Sequence, residues 1–323
     1  MNAKVEKRNH TAPLPEITAG KTPAPRRTIS REGRARRYAL LFVLPAFLFL
    51  LLLNAFPLGQ VVWDSFHYRN MVNTAQQGWA GLSNFAGVLH SEIIVKTLWN
   101  TVLWTVLSVA GEYIAGLVSA MALNQPVRGR AIFRGIIIVP WVVPIVVAGM
   151  MWTWMLTPEY GVINVWLVKL GIIEKPYYWL GEMNTALLAI TFVNIWRSFP
   201  FFTISLLAGL QSVSREVVEA AAIDGAGVLT RFRKIVMPQL KTVSLTLIFM
   251  HIIWTAINFD FIWIMTEGGP FHASETLPIT IYRYAMKEFD MGAASSLSTL
   301  MLGFMIVVFS LFYFTTMKKK QEA

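Results

Sequence analysis

The sequence contains no cysteine. That excludes disulfides, thiolate metal sites and thiol nucleophiles, and it says little about compartment. Charge is also sparse: 14% of residues are charged and 55% are hydrophobic, where a soluble domain carries about 25% charged residues. Acidic side chains are the scarcer sign, 18 against 28 Lys and Arg. A phosphate-binding loop is missing too. Ala19-Gly20-Lys21-Thr22 imitates the end of one, but Pro15 stands where the earlier glycine belongs and no strand precedes it. ATP hydrolysis by this chain is therefore excluded. The five His lack metal-ligand spacing, and no Ser sits in a His/Asp arrangement. No metal site, no bound cofactor and no catalytic residue is assigned.

What the sequence does have is long apolar runs, several near the roughly 20 residues that cross a bilayer core of about 30 Å. They predict an all-α polytopic membrane protein with six helices near 38–62, 97–123, 132–156, 185–210, 242–265 and 294–317. The first run follows the basic stretch Arg31 to Arg37, is too long for a signal peptide and has no small-residue cleavage site. Lys and Arg alternate between loops. Ten lie in 1–37, three in 124–134, five in 211–241 and three in 318–320, against two in each of 63–96, 157–184 and 266–293. Basic loops stay cytoplasmic. Both termini and the 211–241 loop are thus expected inside, in a multi-pass protein of the bacterial cytoplasmic (inner) membrane. The net charge of +10 is then a topology signal and a contact for anionic lipid, not a nucleic-acid patch. Residues 1–37 are expected to form a disordered basic segment, 38–317 the transmembrane domain and 318–323 a cytoplasmic tail. Trp63, Trp79, Tyr177, Tyr178 and Trp179, near span ends, read as interfacial anchors.

The hydrophilic stretch between the fourth and fifth spans is unusual for such a chain. Residues 216–224 favour a helix, with Ser214 placed to cap it and Glu216 and Glu219 near the positive end of its dipole. Val218, Ala221 and Ala222 share one face. Gly225 supplies a turn, either because a β-carbon would crowd there or because φ is positive. A second short amphipathic helix, with Leu229, Phe232 and Ile235 on one side, is expected to stop at Pro238. An amphipathic helix of this kind also suits an anionic lipid surface.

Glu219-Ala220-Ala221, Asp224, Gly225, Ile235 and Pro238 together resemble the cytoplasmic coupling loop of ABC-importer permeases. Met237 stands where leucine is usual, a swap that keeps volume and apolarity. The resemblance runs from about residue 38 to the end and is nearest to the carbohydrate branch, the maltose and glycerol-3-phosphate type. It is carried by Gly81 to Phe85, Asn100-Thr101, Pro140 with Pro144, Trp152 with Trp154, Gly161 with Asn164, and Ala208 to Gln211. Thr266-Glu267-Gly268-Gly269-Pro270 is an outer-loop signature typical of the first of two paired permeases. The resemblance implies a type I importer permease core and a second, homologous permease. It further implies two ATPase subunits that carry ATP and magnesium, an extracytoplasmic solute-binding protein and a carbohydrate substrate. The enteric maltose member has extra helices and a large periplasmic insertion, whereas the outer loops here are short.

Polar groups inside spans are costly and face a cavity or a partner. They are Glu112, Asn194, Arg197, Ser198, His251, Thr255, Asn258 and Asp260. Residues 194, 197, 198 and 201 make one helical face, and 251, 254, 255 and 258 make another. By resemblance to the maltose permease, the sugar-contacting positions match Asn194, Arg197, Ser198 and Phe201 on one helix and His251, Trp254 and Thr255 on the other. Phe201 and Trp254 suit the apolar face of a sugar; Asn194, Ser198 and Thr255 suit its hydroxyls. Arg197 with His251 suggests an acidic, uronate-like oligosaccharide, while pairing of Arg197 with Glu112 is the internal alternative. Two other classes compete. A secondary transporter needs mid-membrane carboxylates, of which Glu112 is the clear candidate. A membrane scaffold needs no polar faces at all.

Overall fold

The computed structural model describes residues 31–72, 77–126 and 128–314. The expected disorder of the N-terminal segment up to residue 30, the Ala19–Thr22 fragment and the tail at 318–323 lie outside the described residues. The chain divides into two units at Phe56. The first holds helix α1 (Arg31–Leu50), which begins seven residues before the expected span and ends in a π-helical turn, Leu51–Ala55.

The second unit opens at Pro57, within α2 (Phe56–Ser65), and continues with a small antiparallel hairpin, β1 (His67–Arg69) against β2 (Gln77–Trp79). Next come α3 (Ser83–Leu89), the 33-residue α4 (Glu92–Asn124), α5 (Arg130–Val142), α6 (Ile145–Met155) and α7 (Val162–Lys169). The chain then forms α8 (Ala186–Gln211), α9 (Arg215–Ile223), α10 (Val228–Arg231), α11 (Met237–Ala256) and α12 (Asp260–Thr266). It ends in α13 (Leu277–Met286) and α14 (Met291–Phe312). Among the described residues five continuous helices are long and apolar enough to cross a membrane, Tyr38–Ser65, Glu92–Asn124, Ala186–Gln211, Val228–Ala256 and Met291–Phe312. Counting the bent pair α5–α6 as one span gives six.

Prolines account for where the spans differ from expectation. The third, expected as one helix over 132–156, is two helices with a 92° bend between α5 and α6. Val143 is extended (ψ 128°) because the ring of Pro144 clashes with a helical residue before it. The fifth was expected over 242–265 with Pro238 as a stop. Instead the helix runs from Val228 to Ala256 straight through Pro238, and a π-helical turn at Phe232–Val236 directly precedes it. Widening the turn removes the clash between a proline ring and the carbonyl one turn back. The span ends at Ala256; α12 is a separate helix after a break at 257–259.

α4 and α8 form the central pair. A β-carbon at Gly116 would overlap Phe202 and approach the Thr203 amide at 3.1 Å, so only glycine lets the two backbones come this close. One apolar cluster joins Trp104, Trp152, Ile190, Phe261 and Ile279; a second joins Val109, Phe202, Leu206, Leu240 and Leu247. Much of the remaining apolar surface is open, including Val95, Val118 and Phe304, as expected where lipid is the neighbour. Two buried asparagines staple the ends. Asn84 Nδ2 donates to the carbonyls of Ser65 and His67. Asn164 donates to Leu156, Thr157 and Tyr177 carbonyls and accepts from the Trp179 indole at 3.1 Å.

Candidate functional site

The two polar faces do meet, but a third helix intervenes. Glu112 of α4 is fully buried and takes a hydrogen bond from Asn194 Nδ2 of α8 (2.9 Å) on one oxygen. Its other oxygen pairs with His251 Nδ1 of α11 (2.7 Å). Ser198 also interacts with this carboxylate. Thr255 is buried one turn beyond, where its carbonyl accepts from the Trp104 indole at 2.9 Å. Asn194, His251 and Thr255 are therefore only 4–6% exposed and engaged within the helix packing.

The other expected residues lie nearer an open surface. Arg197, Ser198 and Phe201 are half-buried and Trp254 is 51% exposed. Phe201 and Trp254 rings sit 6.1 Å apart, and Trp141 of α5 continues the wall 5.9 Å from Phe201. Arg197 does not join the hydrogen bonds to Glu112; its Nε has no hydrogen-bond partner among the described residues, and Asp260 is the charge that acts on it. The role of Glu112 and the place of Trp141 were not legible in the sequence. The partners of Glu112 are 82 and 139 positions away, so no spacing announces them.

At the opposite end of the helices the bend forms as a helix, turn and helix. Ser214 occupies the capping position of α9, although its side chain makes no capping bond. Gly225 has φ +81°, and a β-carbon there would meet nothing within 4 Å. The left-handed backbone, not crowding, is what asks for glycine. Glu219, Ala220, Asp224 and Gly225 are exposed and Ala221 is partly covered. Val217, Ile223, Val228 and Leu229 are also exposed, an apolar display left uncovered by the described residues. Behind them lies a groove of about 910 Å³ whose lining includes Asn124, Gln211, Val218, Glu219, Leu229 and Phe232.

The loop after α12 is rigidly tied. Thr266 Oγ1 and Ser274 Oγ are 2.7 Å apart, and Ser274 donates to the Gly269 carbonyl at 2.6 Å. Gly268 has φ +90°, and the Gly269–Pro270 peptide is cis. Asn100 Nδ2 donates to the carbonyls of His272 (3.1 Å) and Glu275 (3.0 Å), and Thr101 Oγ1 accepts from the Leu277 amide at 2.9 Å. Lys96 reaches the Phe271 carbonyl at 2.9 Å. Below the loop a fully buried Glu275 pairs with Arg283 at 2.6 Å and with His272, and accepts from Thr280. Asn100-Thr101 and the Thr266–Pro270 signature thus belong to one structural unit. Glu275, His272 and Arg283 carry no local sequence signal and were missed.

Residues 112–318 match the family described as binding-protein-dependent transport system inner membrane component. The chain is 33% identical over 283 residues to a trehalose/maltose transport system permease protein of Thermococcus litoralis, covering 87% of this chain and 95% of that one. It is 32% identical over 273 residues to a sulfoquinovosyl glycerol transport system permease protein of Agrobacterium fabrum, covering 84% and 88%. With an sn-glycerol-3-phosphate transport system permease protein of Escherichia coli O157:H7 it shares 27% identity over 290 residues, 89% and 96% of the two chains. Its fold matches the crystal structure of a bacterial ABC transporter involved in the import of the acidic polysaccharide alginate. There the TM-score is 0.75 at 19% identity, over 90% of this chain and 98% of that one.

Proposed function

Because this chain belongs to the family of binding-protein-dependent transport system inner membrane components, we propose that it is the sugar-translocating permease subunit of an ATP-driven importer and works as the first of two paired permeases. It is a transport subunit with a type I ABC importer permease fold, and not an enzyme. The observation that carries the mechanism is the bend at α9 and Gly225: an exposed apolar display, set by a left-handed glycine, on a loop whose basic residues favour the cytoplasmic side. An ATPase subunit is the partner that fits it. Two such subunits hold the ATP and magnesium, and their closure pulls α9. The Val228–Ala256 helix then transmits that pull without interruption into the membrane. Closure shifts the cavity between inward and outward access only if the two states bind the ATPase differently. The chain lies in the bacterial inner membrane with both termini cytoplasmic.

The opposite loops receive the solute-binding protein. A carbohydrate, here an oligosaccharide, passes along Arg197, Ser198, Phe201 and Trp254, with Asn194, His251 and Thr255 behind them. The aromatic wall suits the apolar face of a sugar ring. Arg197, half-buried on the same helix as Phe201 and with a buried Nε that has no partner among the described residues, makes a uronate-type sugar the substrate class to test first. Purification of the complex from native membranes tests the reading. An ATPase should co-purify, with activity that rises when the solute-loaded binding protein is added; purification without any ATPase would contradict it.

A further inference from the structure

Glu112 lies on α4, outside the set of residues expected to line the sugar path. Yet it is the point where α4, α8 and α11 are tied together. Its two oxygens hold one residue from each of the other two helices, Asn194 at 2.9 Å and His251 at 2.7 Å. The His251 ring that it fixes is packed on three sides by aromatics: Phe202 at 4.4 Å, Trp254 at 5.3 Å and Phe201 at 5.4 Å between centroids. Two of these, Phe201 and Trp254, are the wall of the path. A carboxylate that grips Nδ1 sets the rotation of the imidazole and assigns it a proton on that nitrogen. The other nitrogen, Nε2, is buried and has no partner among the described residues. The aromatic rings confine the imidazole, and among the described residues the bond to Glu112 is the hydrogen bond that selects its rotation.

We propose that Glu112 is a positioning residue of the sugar path: by holding His251 it sets the tilt and spacing of Phe201 and Trp254, and by holding Asn194 it keeps α8 in register with them. This rests on the sugar-permease reading given above. Glutamine at this position is nearly isosteric and can still accept from Asn194. Its amide, however, presents a donor to His251 Nδ1, and moving the imidazole proton to Nε2 would leave a buried donor with no partner among the described residues, so the ring turns instead. The wall should then shift while the helices stay packed.

The absence of cysteine makes a ligand-free test direct. In the intact complex, reconstituted in liposomes, Trp141→Cys places a thiol at the far edge of the wall and Glu174→Cys places one on a remote exposed loop. Adding Glu112→Gln should change the rate of methanethiosulfonate modification at the first position at least fivefold and leave the second within twofold. Unchanged rates at both would overturn the proposal. Should the Gln variant fail to assemble, Glu112→Asp keeps the carboxylate on a shorter arm and is read in the same way. Uptake of maltose, trehalose and a mannuronate trisaccharide supplies the second readout. Glu112→Gln should raise KM about tenfold for the transported sugar with kcat changed less than threefold; a fall in kcat at constant KM would overturn it. His251→Asn retains an amide donor close to the Nδ1 position and so retains the tie, but it removes the ring. It should share the KM defect, and wild-type KM in that variant would reduce Glu112 to a packing tie. If the wild-type complex takes up none of the three sugars, the sugar reading is at fault, while the modification rates still decide the role of Glu112.

Discussion

Arg197 is the residue whose substitution speaks most directly to substrate charge. It is half-buried, its Nε has no partner among the described residues, and Asp260 is the acidic charge that acts on it. One charge-assisted hydrogen bond contributes about 1.5–3 kcal/mol, which corresponds to roughly a 10- to 150-fold change in affinity. Arg197→Met should therefore raise the KM for an acidic oligosaccharide by that factor and leave a neutral one within about threefold. Equal losses for both in proteoliposome uptake would assign Arg197 to internal charge balance. Asn100 acts through structure instead. Its amide satisfies two carbonyls of the loop after α12, and each buried group left unpaired costs about 1–3 kcal/mol. Asn100→Ala should lower the thermal midpoint of the purified complex and impair stimulation by the binding protein; an unchanged midpoint would show that water replaces the amide. Helical spacing alone places Asn194 and His251 on the faces where they are found. It cannot show that both turn toward Glu112, because that contact is made by residues far apart in the chain.

At the scale of elements, the bend between α8 and α11 is the feature most fully written in the sequence. Helix-forming residues, a glycine and a second apolar stripe appear in the order in which α9, the left-handed turn and α10 are built. A β-branched residue with φ +81° costs about 1–3 kcal/mol. There is room for its side chain, so the loop should relax rather than the protein unfold. Gly225→Val is expected to assemble normally and to lose most sugar-stimulated ATPase activity and uptake; wild-type uptake would remove the reason for docking there. The prolines were harder to read. Pro144 breaks its span, while Pro238 sits inside a continuous helix. A π-helical turn ahead of Pro238 accommodates the ring, and composition does not show in advance where a helix will widen.

For the whole molecule, hydropathy was enough to place the membrane helices, five continuous among the described residues and a sixth as the bent α5–α6 pair, because a bilayer core admits little besides helix. Span ends were less legible. α4 starts five residues early, and the fifth span starts fourteen residues early at Val228, since amphipathic turns continue a helix beyond its apolar part. The ion pairs under the loop after α12 and the tie at Glu112 depend on tertiary contact and leave no trace in local sequence.

The central claim is that α9 is gripped by a separate motor. The cysteine-free background makes it testable with one thiol, Ala220→Cys, on the exposed surface of α9. Oxidative or short-spacer cross-linking in native membranes should capture an ATPase subunit, in a yield that changes on addition of ATP. Repeated failure to capture an ATPase from this position, with the complex intact, would contradict the account.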